Sequence, residues 1–94
     1  MKYGADNYTV YRFMTQELLL RGAALQVFAV IYSFTRAVGE FGGSREYLAA
    51  TVGISLKTVD RALGELQARG LIARREERRG YASFTYTAAV GCDK

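Results

Sequence analysis

Two groups of basic and hydroxyl side chains carry what chemistry the chain offers. Lys57, Thr58 and Arg61 fall close together in the run LKTVDRALGELQARG, and Arg74, Arg75, Arg78 and Arg79 crowd a second run that also holds Glu76 and Glu77. Ammonium and guanidinium groups make charge-assisted hydrogen bonds to anionic oxygens, and the planar guanidinium fork can also grip two acceptors at once. These groups suit recognition of a polyanion. They form no nucleophile or proton shuttle.

The charge balance agrees with that reading. Thirteen basic residues against nine acidic ones in 94 residues give a formal charge of +4, and half of the residues are apolar. The surplus is uneven: residues 1–56 hold five basic and four acidic side chains, whereas residues 57–81 hold seven and four. A local basic patch of this kind attracts phosphate more than the modest total indicates.

Catalysis needs a constellation that this inventory lacks. There is no histidine, so histidine-based triads and proton relays are out of reach. The one cysteine, Cys92, has no basic partner in view and no second thiol with which to build a disulfide or a zinc site. Glu76 and Glu77 are adjacent, which in a strand sends them to opposite faces, and Gly42-Gly43 lacks the lysine of a phosphate-cradling loop. The expectation is a protein that is not an enzyme and needs no cofactor or metal. Single-cysteine usage fits a reducing cytoplasm, the N-terminus has no signal-peptide pattern, and the apolar run Ala23–Phe34 is too short to span a bilayer.

The basic residues must be positioned by two helices that meet at a corner. Ser44 is an N-cap for a short helix over 45–52 with Glu46 in its first turn, and Gly53 ends it. Ile54 plugs the corner. Ser55 then caps a second helix over 56–69, in which Val59, Leu63 and Leu66 recur at i, i+4 and i+7. Gly70 before apolar Leu71 predicts a left-handed stop. Opposite the apolar stripe lie Lys57, Arg61, Gly64 and Ala68, flanked by Thr58, Asp60 and Glu65. Short helix, glycine corner and amphipathic second helix make a helix-turn-helix, whose second helix can enter the DNA major groove by its N-terminal end.

The remaining segments frame this unit. Residues 1–7 are read as a flexible arm and Tyr8–Met14, rich in aromatic and β-branched residues, as an N-terminal strand. Thr15 is expected to cap a short helical turn reaching Leu20. From Gly22 to about Ala37 runs a scaffold helix with Ala24, Leu25, Phe28, Ile31, Tyr32 and Thr35 on one face and a narrow polar strip of Gln26, Ser33 and Arg36. Its second apolar line, Ala23, Val27, Val30 and Phe34, is covered either by another part of the chain or by a second copy at a homodimer interface. After Gly70 the period becomes alternating: Leu71–Arg75, a turn over 77–81 and Ala82–Thr87 predict a β-hairpin with Phe84 and Tyr86 on one face and Ser83, Thr85 and Thr87 on the other, with 88–94 as a tail. The expected fold is a single domain over 1–94, α+β but mostly helical: a three-helix core with a C-terminal hairpin wing.

That order of elements resembles the winged helix-turn-helix domains. The stretches MTQELLLRGAALQVFAVIYSF, GGSREYLA and GISLKTVDRALGELQARGLI look like the N-terminal domains of replication, or replisome-organiser, proteins of phages, plasmids and conjugative elements; transcription regulators use the same pattern. The resemblance covers about residues 8–87 and implies that Ser55, Lys57, Thr58 and Arg61 face double-stranded DNA while Arg78 and Arg79 lie in the wing. It departs at position 56, often basic in relatives and here Leu56, and at position 60, where Asp60 repels phosphate unless it accepts from a cytosine amine or orients Arg61. The expected function is therefore duplex DNA binding in replication initiation of a mobile element or in transcription regulation. The rival is a module that has lost DNA binding and assembles replication proteins. RNA binding is a weaker third reading, since seven tyrosines come without a stacking motif.

Overall fold

The computed structural model describes residues 8–76 and 84–89. Four helices precede a two-stranded antiparallel hairpin: α1 (Arg12–Gln16), α2 (Gly22–Val38), α3 (Arg45–Val52), α4 (Leu56–Ala68), β1 (Ile72–Glu76) and β2 (Phe84–Ala88). This is the winged helix-turn-helix expected from the sequence, with the short front helix lying earlier in the chain than expected. The arm over 1–7, the hairpin turn with Arg78, Arg79 and Gly80, and the tail from residue 90 with Cys92 lie outside the described residues.

The two helices of the corner form where their caps put them. Ser44 Oγ accepts from the Tyr47 amide at 3.0 Å and Ser55 Oγ from the Thr58 amide at 3.1 Å, so each serine satisfies an otherwise orphaned donor of a first turn. Gly53 sits at φ 82, a left-handed conformation that lets the chain leave α3 and turn within two residues into α4. At the far end Gly70 has φ 74 and the Leu71 amide reaches back to the Leu66 carbonyl at 2.9 Å, the left-handed stop that the sequence predicted.

α2 is the scaffold, packing against every other helix and against β2. Phe28 and Ile31 are fully buried, together with Met14, Phe41, Leu48, Val59 and Leu66 from the elements around them. The middle of the second apolar line of α2 is internal. Val27 is 0% and Val30 1% exposed, while Phe34 stacks edge-on against Phe41 at 5.1 Å and Tyr47 at 6.1 Å. The single chain thus buries the centre of this line and sets Phe34 against a loop and α3, while Ala23 and Phe34 keep partial exposure, so the line is not the wholly spare stripe expected of a subunit interface.

The N-terminal strand is a second correction. Tyr8–Tyr11 runs without regular structure and Arg12–Gln16 is helical, so Thr15 lies inside α1 instead of capping a later turn that reaches Leu20. Packing overrides β propensity here. The free edge of β2 that a third strand would use is taken by Phe41, whose amide and carbonyl both bond to Tyr86 at 2.7 and 3.0 Å. One helical turn instead sends Met14 into the core and leaves Tyr11 and Phe13 edge-on against Tyr32, with centroids 5.2 and 5.3 Å away. The preceding residues cover the polar strip of α2: the Tyr8 hydroxyl donates to Gln26 Oε1, and the Thr9 amide donates to Ser33 Oγ at 3.4 Å.

The hairpin registers Ile72 with Ala88 and Arg74 with Tyr86. Its strands start and end one or two residues later than the alternation predicted, and Ala88, read as tail, is a paired strand residue whose amide donates to Thr35 Oγ1 at 3.0 Å. Alternation also predicted one polar face. Instead Thr85 and Tyr86, on opposite faces, are only 6% and 8% exposed, because β2 packs against α2 and the Phe41–Gly43 segment also folds against it.

Candidate nucleic-acid interface

α4 presents its polar face as its spacing requires. Val59, Ala62, Leu63 and Leu66 are buried, whereas Lys57, Arg61, Gly64 and Ala68 are exposed on the other side. Among the described residues no hydrogen bond or ion pair engages Lys57 or Arg61, so both charges are at the disposal of an outside ligand. Their helix faces solvent with its basic end leading, where side chains lean toward the N-terminus and the helix dipole favours anions.

Ser55 and Thr58 stand at that same end but are already committed. Besides accepting from the Thr58 amide, Ser55 Oγ lies 2.9 Å from Thr58 Oγ1, so the two hydroxyls bond each other. Their first duty is to start α4. Between them sits Leu56, 38% exposed and outside the packed core, at the first helical position.

Asp60 has a partner that sequence spacing did not identify. Arg45, in the first turn of α3, donates from Nη1 to both Asp60 carboxylate oxygens, at 2.8 and 2.7 Å. The pair is about half exposed on each side. Hydrogen bonding to Asp60, then the Asp60 charge, raises the Arg45 pKa above its ordinary value, so the guanidinium stays charged throughout the accessible range. The acid that threatened to repel phosphate is locally neutralised, and Asp60 orients Arg45 where Arg61 had been expected. The only signal for this in the sequence was an arginine directly after a helix cap, a weak one because the contact spans fifteen positions.

The hairpin arginines divide. Arg74 shares its strand face with buried Ile72, while Arg75 projects to the other side, and both are exposed. Arg74, Arg45 and Asp60 line one open cleft of about 600 Å³ between the start of α3, the middle of α4 and the hairpin, floored by Gly42, Gly43 and Tyr86. Thus the structure brings Arg74 to the α4 side and not Arg75; Arg78 and Arg79 lie outside the described residues. Arg69, also basic and exposed, is used internally, with Nη2 donating to the Leu18 carbonyl at 2.5 Å.

Among the described residues no cluster of three histidine, cysteine or acidic side chains could hold a metal ion. No helix of the described residues is long and apolar enough to cross a membrane. Residues 24–82, from the first turn of α2 to the hairpin, match a family model described as a Crp-like helix-turn-helix domain. No curated protein and no solved structure matches the chain.

Proposed function

Because the chain belongs to the Crp-like helix-turn-helix family, and is thus a helix-turn-helix DNA-binding domain, we propose that it recognises a specific duplex sequence and regulates transcription by occupying it. α4 lies in the major groove, Lys57 and Arg61 lead, and the hairpin follows the flanking backbone. The observation that carries this reading is the exposed pair Lys57 and Arg61 at the capped N-terminal end of α4, unengaged among the described residues. No covalent step is involved. Occupancy alone excludes or recruits other proteins.

A role in replication initiation draws on the likeness of three stretches of the sequence, and the matched family description favours regulation. The interaction-module reading leaned on the small net charge and on Asp60 as a repulsive charge. The pairing of Asp60 with Arg45 takes away the second of these supports.

Titration of random-sequence duplex at two salt concentrations tests duplex binding, because neutralised phosphates release counterions and give a salt-dependent affinity. Selection from a random pool then tests site preference. Failure to bind any duplex at low salt ends the proposal; binding without enrichment of a site removes the regulatory part.

A further inference from the structure

The leading turn of α4 contains an exposed apolar side chain, Leu56, flanked in the chain by the polar residues Ser55 and Lys57. Leu56 continues the stripe of Val59, Leu63 and Leu66 one step past the core, and it does not join the packed cluster. It remains 38% exposed although its helix buries four other apolar residues well. Because helical side chains tilt toward the N-terminus, a residue at the first position reaches beyond the helix end itself.

The hydroxyls on either side of Leu56 cannot easily take over the reading of bases. Ser55 Oγ and Thr58 Oγ1 bond each other, and Ser55 Oγ also receives the Thr58 amide. Asp60, one turn on, is held by Arg45. What the leading end offers an outside ligand is the Lys57 ammonium, the Arg61 guanidinium and the Leu56 isobutyl group. The first two fit phosphate or acceptor edges. The third can bond to neither.

Resting on the reading of α4 as the major-groove helix, we propose that Leu56 is a specificity-determining residue that packs on the C5-methyl group of a thymine. That methyl is the one apolar feature on the major-groove edges of the four bases, and apolar side chains read it by contact. A leucine in place of a hydrogen-bonding side chain makes this position select thymine over cytosine and over the purines. It adds no phosphate contact, so it contributes nothing to salt dependence.

Deoxyuridine provides the test, since it removes the methyl and leaves every hydrogen-bonding group in place. Duplexes are selected from a random-sequence pool with the wild-type protein, and each thymine of the enriched site is replaced singly by deoxyuridine. The expected result is one position at which the replacement weakens the wild type about fourfold, the effect of leaving roughly one methyl group unburied. Leu56→Ser, which removes the apolar contact, binds the thymine and uracil duplexes equally, with the salt slope of the wild type and an unchanged circular dichroism spectrum, because an exposed first helical position tolerates serine. Retention of the thymine preference by Leu56→Ser, or indifference of the wild type to every replacement, overturns the assignment while DNA binding stands. Absence of binding to any duplex at low salt instead fails the proposed function, and the Leu56 assignment with it.

Discussion

Arg45 Nη1 holds both carboxylate oxygens of Asp60, at 2.8 and 2.7 Å, and so joins the first turn of α3 to the second turn of α4. One nitrogen carries the whole attachment. The Nε and Nη2 groups of Arg45 make no hydrogen bond among the described residues, so the Asp60 anchor leaves a donor edge of the guanidinium over. The carboxylate on the exposed face of α4 is therefore a neutralised partner and a brace for a cation supplied by the other helix.

Asp60→Asn is expected to strengthen binding to random duplex, because it removes a negative charge and releases Arg45 toward phosphate. If Arg45 then contacts one phosphate, the salt slope steepens by about 0.9. Arg45→Ala has the opposite result, since it leaves Asp60 uncompensated beside the DNA. Thermal stability should move little in either variant, the pair being half exposed. Anisotropy titrations at two salt concentrations decide the matter, and weaker binding by Asp60→Asn would show that the carboxylate itself reads a base or must hold Arg45 in place.

Arg61→Ala should reduce discrimination between a selected site and random duplex. A bidentate base contact is worth about 1 to 3 kcal/mol at its own position and nothing elsewhere. Equal weakening on every sequence would move Arg61 to the backbone.

Ser55→Ala separates capping from contact. Loss of an N-cap serine costs about 0.5 to 2 kcal/mol of stability, here aggravated by leaving the Thr58 hydroxyl without its partner. Binding by the folded fraction should be nearly unchanged, as judged by denaturant melts beside titrations at saturating stability. Undiminished stability with lost affinity would make Ser55 a direct contact.

The parts legible in the sequence were those governed by local rules. Serine caps, glycine stops and a 3.6-residue period fixed α3 and α4 nearly to the residue, since each depends on neighbours within a turn. What escaped was decided across the fold. Tyr8–Met14 has the composition of a strand, but Phe41, an isolated aromatic in a loop, had already taken the edge of β2. Thr85 reads as solvent-facing until the same loop covers it. The Arg45–Asp60 pair likewise depends on the angle at which α3 meets α4, which no spacing within either helix encodes.

Arg78 and Arg79, outside the described residues, are expected to touch phosphate and not bases. Replacing both by alanine should weaken all duplexes alike and flatten the salt slope by roughly two units, about 0.9 for each phosphate that is no longer neutralised. Unchanged affinity and slope would confine the DNA surface to α4, Arg45 and Arg74.

The buried middle of the second line of α2 changes what Val30→Glu should do. At a subunit interface this change would give a folded monomer, because the separated surface could solvate the new carboxylate. Val30 is 1% exposed within the single chain and lies between equally buried Ala29 and Ile31. An unpaired charge at such a place costs several kcal/mol, comparable to the whole stability of about 5 to 15 kcal/mol typical of a domain. Circular dichroism should therefore show loss of helix at physiological temperature, with no intermediate in which helix is retained and association alone is lost. A second variant guards against a trivial reading. Val30→Ala should melt lower by a cavity cost of roughly 1 to 3 kcal/mol yet keep the sedimentation behaviour of the wild type. If instead Val30→Glu remains folded and sediments as a smaller species than the wild type, this line of α2 is an interface after all.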